Sequence, residues 1–228
     1  MTPLIVIRPE PGCAETVAAA RAMDLAAQGF PLFAVRPLAW TEPGPASFDA
    51  LLIGSANALR HGGTGLAAFA GKPAYAVGET TAAAARAAGL EIAATGQGGL
   101  QQLLGQLKPG HRRLLRLAGR ERAALVTPPG VVIEERVVYA SDALPLPAAL
   151  AAMLGQFAVV LLHSSAAARH FAGQCDAAGI ARSTIAIAAL APAIAEAAGD
   201  GWAHCASAPD PRDHALLALA RQMCQNRE

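Results

Sequence analysis

Two serines, Ser55 and Ser164, stand where a run of aliphatic residues ends and a helix-forming stretch begins: LLIGSANALRH at 51 to 61 and LLHSSAAARH at 161 to 170. A hydroxyl at that point can cap the first turn of a helix. The backbone N–H groups of the same turn, Ala56 and Asn57 after Ser55 and Ser165 after Ser164, are available to an anion. A third turn has the same character. Gly78 precedes Glu79, Thr80 and Thr81 in AYAVGETTAAAARAAG, so unpaired N–H groups with the positive end of a helix dipole behind them are expected at another strand exit. The chemistry offered is the binding of carboxylate or phosphate. Serine hydrolysis is a poor fit, because neither serine sits in a GxSxG elbow and no histidine follows in a suitable context.

Such turns need strands to carry them. Short aliphatic runs are expected as strands near 4–8, 31–36, 49–54, 73–77, 90–94, 113–117, 132–139, 157–162, 184–189 and 202–206. Helices are expected at 13–28, 64–70, 79–88, 98–107, 146–155, 164–172, 192–198 and 211–224. LIVI, ALLI and VVLL lack the alternation of a strand buried on one face, which indicates parallel strands covered on both sides. The class is α/β with open parallel sheets.

The chain also resembles itself. Phe48, Leu52, Ser55, Ala58, Arg60 and His61 recur as Phe157, Leu161, Ser164, Ala167, Arg169 and His170, every pair 109 positions apart. A fixed register through a whole unit indicates duplication rather than shared alanine richness. Two similar lobes would each present their turns at the carboxyl ends of their strands, the edge where ligands bind in open parallel sheets, with the whole site between them.

Composition limits the partners. The chain has 228 residues, 54% of them hydrophobic and 15% charged, enough to bury a large core or to split into two lobes. A formal charge of +1 with scattered cations offers no stripe for a nucleic acid. No segment approaches a membrane span, and the apolar run Leu4 to Ile7 is too short for a signal-peptide core. Cys13, Cys175, Cys205 and Cys224 form no CxxC pair, so buried or incidental thiols of a reducing cytoplasm are expected rather than a metal site or disulfide framework. His163 and His170 read as a strand-end and a helix-surface histidine.

In order along the chain, VIRPEPG, FDALLIGSAN, AYAVGETTAAAARAAG, LLRLAGRERAALV, VVIEERVVYAS, FAVVLLHSSAAARHF and IAIAALAPAIAEAAGDGW resemble the uroporphyrinogen-III synthase family over nearly the full length. The resemblance implies two similar flavodoxin-like lobes joined by a two-stranded linker. One lobe would be discontinuous, 1–35 and 141–228; the other, 41–137, would be inserted, with linkers at 36–40 and 138–140. It also implies that the protein, by default a cytoplasmic monomer, takes hydroxymethylbilane, a linear tetrapyrrole with acetate and propionate arms. No metal and no cofactor would take part, and a transient contact with hydroxymethylbilane synthase stays open. The terminal hydroxyl would leave, an azafulvene-like cation would give a spiro intermediate, and the last pyrrole would be inverted as the ring closes.

Carried onto this chain, the resemblance makes Tyr139 the proton donor to the departing hydroxyl. A phenol is a weak acid at neutral pH, so its share belongs at the low, about 10²-fold, end of acid catalysis. Holding the bilane in a ring-like shape is the larger service, because an unguided bilane closes to the wrong isomer. Arg8 is implied at the end of the first strand, either at the substrate or bonding neighbouring carbonyls. Two stretches depart from the family pattern. Ala191, Pro192, Ala193 and Ile194 replace a hydroxyl-bearing turn, which leaves only the N–H groups of residues such as Ala191 and Ala193, since Pro192 has none. Pro128 and Pro129 would cut short a helix after AALVT. The rival reading is a non-enzymatic two-lobed protein that closes on a small anion, or an inactive member of the family.

Overall fold

The structure, a computed structural model, describes residues 1–96 and 99–225. In chain order it runs β1 (Leu4–Val6), α1 (Gly12–Arg21), β2 (Ala27–Gly29), β3 (Phe33–Pro37), β4 (Ala50–Ile53), α2 (Ala56–Arg60), β5 (Pro73–Val77), α3 (Glu79–Ala87), β6 (Glu91–Gly96), α4 (Leu100–Leu104) and β7 (Arg113–Gly119). Then follow β8 (Val132–Ala143), α5 (Ala148–Leu154), β9 (Ala158–Leu162), α6 (Ser165–Ala177), β10 (Ile185–Ala189), α7 (Pro192–Ala198), β11 (His204–Ser207) and α8 (Asp213–Gln225). The chain divides into a first unit, Met1–Ala34 with Asp142–Glu228, and a second, Val35–Ser141.

The first unit carries a sheet of order β11-β10-β9-β1-β2, with parallel pairings throughout. Strands β1, β9 and β10 are buried along their whole length, as strands covered on both faces must be. The two-residue period splits them cleanly. Leu4, Val6, Val159 and Leu161 pack with Leu216 and Leu217 of α8 on one face. Ile5, Ile7, Val160 and Leu162 pack with Leu150, Phe171 and Ile194 of the opposite helices on the other.

The second unit carries the order β3-β8-β7-β4-β5-β6. From β8 to β6 the strands are parallel. Leu51, Ile53, Leu115 and Leu117 pack with Phe69 and Ala85 on one face, and Ala50, Leu52, Tyr75 and Leu114 with Leu103 and Leu104 of α4 on the other. Both units are therefore open α/β sheets, the predicted class.

The crossover from β7 to β8 is unusual. Parallel neighbours are ordinarily joined through a helix, yet residues 120–131 contain neither helix nor strand and form an extended strap. Gln101 of α4 pins it, its amide donating to Val126 O (3.1 Å) and accepting from Val126 N–H (2.8 Å).

Four expectations are corrected. The helix expected over 13–28 ends at Arg21, because the chain turns through Asp24 at φ 59° and leaves Ala27–Gly29 to pair with β1. A separate helix, α2, follows Ser55 and lasts five residues before Gly62 and Gly63, the latter at φ 67°, break it. The stretch 64–70 is a 3₁₀ turn, Thr64–Phe69, rather than an α-helix. The helix expected over 98–107 has its expected start outside the described residues; among those described α4 runs only over Leu100–Leu104 and ends at Gly105, short of 107. No helix among the described residues is long and apolar enough to cross a membrane.

Candidate active site

In the second unit, β4, β5 and β7 end side by side, and the chain beyond them walls a cavity of about 390 Å³. Gly54 and Ser55 line it from β4, Val77 from β5, Ala118 and Gly119 from β7 and Tyr139 from β8. Leu100 and Gln101 of α4 and residues 121–125 of the strap close its sides. Ser55, in extended conformation at φ −154°, accepts from Asn57 N–H at 3.2 Å and so caps α2. Ala56 is buried behind it, and Asn57 accepts from Arg60 at 3.3 Å.

The Gly78 turn is built differently. Gly78 sits at φ 76° before α3, where it suits a glycine, but its own N–H donates to Gly96 O at 2.7 Å and is not free for a ligand. Thr80 is exposed, whereas Thr81 is buried on the inner face of α3 with Ala82 and Ala85. Of the turn's predicted binding residues, Thr80 is therefore the one presented at the surface.

A charged cluster forms part of the cavity lining, through Arg116 and Arg122. Arg116, in the middle of β7, is buried with its side chain 5% exposed and donates to Glu135 (2.5 Å) and to Ala123 O of the strap (2.9 Å). Arg122 donates to the second oxygen of Glu135 at 2.9 Å. Burial pushes the Glu135 carboxyl up, but Arg122 and Arg116 together outweigh it and hold the group below the usual carboxylate range. Both guanidinium groups are thereby committed to one carboxylate.

In the first unit, β1 and β9 end at a second cluster. Arg8 donates to Asp213 at the start of α8 (2.7 Å) and to Thr16 of α1 (3.2 Å). His163, with its side chain 7% exposed, lies with Nε2 3.6 Å from Asp213, and neither ring nitrogen has a hydrogen-bond partner. Burial, reinforced by Arg8 and only partly opposed by Asp213, pushes its pKa down to about 4. The ring is neutral at ordinary pH and makes no ion pair with Asp213.

Ser164 caps α6 through Ala167 N–H at 3.1 Å. Ser165 donates to Ala193 O at 3.2 Å, which ties this turn to the α7 turn, where Ala191 holds the capping position without any side-chain bond. His170, read as a surface residue, is instead half-buried: its Nε2 bonds Leu144 O at 2.7 Å and its ring meets the edge of Phe33.

Strand-end turns of one build, present in each unit, are what the sequence resemblance implies, and a comparison with known proteins decides it. A family model described as uroporphyrinogen-III synthase HemD matches residues 14–218. The chain belongs to the uroporphyrinogen-III synthase family. It is a lyase of tetrapyrrole and haem biosynthesis, cyclising hydroxymethylbilane with loss of water and inversion of the terminal pyrrole ring to give uroporphyrinogen III.

The fold agrees with solved structures. Uroporphyrinogen-III synthetase from Helicobacter pylori 26695 aligns over 98% of this chain and 100% of its own, with a TM-score of 0.64 and 17% identity. A mutant uroporphyrinogen III synthase from the extremely thermophilic bacterium Thermus thermophilus aligns over 99% and 100%, at 0.60 and 16%. Likeness at such identities is one of fold. None of the curated proteins compared with the chain matches it.

The structure thus brings Ser55 and Tyr139 to one cavity in the second unit, and Ser165 to Ala193 in the first. Residues that sequence reading did not single out as functional complete the surroundings: Gly119, Arg116, Arg122 and Glu135 in one unit, His163 and Asp213 in the other. Arg116 carried a signal, as a lone arginine inside LLRLAG must find a partner once that strand is buried. Among the described residues no group of three or more His, Cys, Asp or Glu is placed to hold a metal ion.

Proposed function

We propose that the cavity at the strand ends of the second unit is where the leaving hydroxyl of hydroxymethylbilane meets its proton donor, Tyr139. The observation that carries this is the meeting of Tyr139 and Ser55 in one cavity, although they come from strands separated by β5, β6 and β7 in sequence. The lining combines apolar residues, among them Val77, Leu100 and Leu117, with polar ones, among them Ser55, Gln101 and Glu121, so a pyrrole face and a polar arm each find suitable ground.

The carboxylate arms are taken up by first-turn N–H groups that no side chain already holds: those at Ala56, at Thr80, at Ser165 and at Ala193. Neutral donors of this kind suit a chain of net charge +1, in which Arg116 and Arg122 are already bound to Glu135. Arg8 is a substrate ligand only in so far as an incoming carboxylate shares it with Asp213 and Thr16. We take the protein to act as a monomer in the cytoplasm, receiving its reactive substrate in transient contact with hydroxymethylbilane synthase.

The deciding experiment generates hydroxymethylbilane in situ, adds the protein and identifies the isomer. Uroporphyrinogen III is expected; isomer I alone, as without protein, overturns the activity. Tyr139→Phe is expected to lose about 10²-fold in rate, and wild-type turnover in that variant removes the proton-donor role while leaving the activity in place.

A further inference from the structure

Tyr139 owes its place at the cavity to an irregularity in the sheet. The β7–β8 ladder is regular from Arg113↔Val132 to Ala118↔Val137, then slips so that Gly119 faces Tyr139 and Val138 is passed over. In a regular strand, adjacent residues point to opposite faces. Here Val138 and Tyr139 both reach the same apolar cluster, Val138 buried and Tyr139 at its edge. Bulges of this kind re-aim a side chain at the end of a pairing. The backbone beyond it is tied, since Arg120 N–H donates to Tyr139 O at 2.9 Å. What remains adjustable is the ring.

That ring lies against the bare Cα of Gly119. A methyl added there would stand 2.6 Å from Tyr139 Cζ and 2.8 Å from both Cε2 and Oη, closer than real Cβ atoms approach anything. The glycine is not demanded by the main chain, because Gly119 is absent from the positive-φ glycines. It is demanded by the phenol. The crowded atoms are those at the hydroxyl end, and they belong to the free end of a side chain, so an intruding methyl would move the hydroxyl rather than the sheet.

We propose that Gly119 is a positioning residue for the reaction: by lacking a side chain, it sets where the Tyr139 hydroxyl stands in the cavity. This rests on the proton-donor reading of Tyr139, and the test separates the two. Rates of uroporphyrinogen III formation and KM are measured for wild type, Gly119→Ala, Tyr139→Phe and the double variant. Gly119→Ala is expected to lower kcat by about tenfold, part of the 10²-fold at stake in the hydroxyl, with KM changed less than about twofold. In the Tyr139→Phe background the same substitution is expected to change kcat by less than about twofold, because two residues that act as a unit do not add.

Wild-type kcat in Gly119→Ala, or an equal loss in both backgrounds, overturns the positioning role alone. Wild-type kcat in Tyr139→Phe overturns the tyrosine's role and this proposal with it. Should Gly119→Ala fail to fold, the double variant with Tyr139→Ala, which has room for the methyl, must recover the folded state; failure to recover shows that the ring is not the contact that matters.

Discussion

The two copies of the strand–serine–helix turn are alike in backbone and unlike in what surrounds them. Ser55 and Ser164 share φ −154°, and each hydroxyl caps the helix that follows. The residue just before them differs. Gly54 leaves the end of β4 open, with the 390 Å³ cavity beside it. His163, its counterpart 109 positions on, fills the end of β9 with a buried ring set against Asp213 and near Arg8. Duplication therefore preserved the anion-ready turn and altered its floor: one copy holds a cavity with a phenol, the other a packed histidine. A repeated motif shows where a site can be, while the residue behind the motif decides what the site holds.

The largest effect expected from this difference lies in the charged clusters. Arg116 is far more enclosed than Arg8, with side chains 5% against 29% exposed. Removing the carboxylate from a buried pair strands a charge in the interior and costs about 3–5 kcal/mol. Glu135→Ala should accordingly destabilise the second unit on that scale, measured by denaturant unfolding. Asp213→Ala, whose partner can turn to water, should cost less than about 1 kcal/mol. Equal losses would show that the two clusters are equivalent supports.

Next comes the floor itself. A Cβ at Gly54 would stand 3.1 Å from Leu100 Cδ1, so a side chain there must press on α4 or enter the cavity. Gly54→His makes the second unit resemble the first, and the loss in kcat/KM is expected to reach about 10²-fold, the scale of displacing a reacting group by about an ångström. Near-wild-type turnover in that variant would remove the cavity from the reaction path.

Much of this was legible beforehand, for identifiable reasons. Strands β4, β9 and β10 announce themselves because strands covered on both faces must be aliphatic throughout, and Gly78, Ser55 and Ser164 mark helix starts by their side-chain chemistry. Strand β2 was hidden, since Ala27, Gln28 and Gly29 have no strand character and pair only because β1 offers an edge. Tertiary context overrides propensity there. The difference between α2 and α6 was half visible: Gly62 and Gly63 stop the first helix, where Phe171 and Ala172 continue the second. The slip at Gly119 and the sharing of Glu135 were not visible at all, because register and three-body contacts arise only when strands distant in sequence meet.

The histidine in the floor gives a pH signature of smaller size. Its pKa is about 4 in the folded chain against an ordinary 6.5, so between those values the unfolded state binds more protons. Stability is then complete above about pH 6.5 and falls as the pH drops toward 4, with a slope of at most about 1.4 kcal/mol per pH unit. His163→Gly, which copies the residue of the other unit, should flatten that slope even though it lowers stability at pH 7 by leaving a void. An unchanged slope would mean that the acid sensitivity belongs to other groups.

The smallest effect tests whether the turns are truly equivalent. Ser55→Ala and Ser164→Ala should each cost about 1 kcal/mol, or about 2–4 °C in melting temperature. The helices they cap differ greatly, five residues in α2 and thirteen in α6. A cap acts only on the first turn, by satisfying one N–H that the helix itself cannot, here that of Asn57 or Ala167. The two losses should therefore agree within about 0.5 kcal/mol despite the difference in length. A loss that grew with helix length would mean that the serines support their helices as wholes, and the likeness of the two turns would then be one of sequence without a shared physical role.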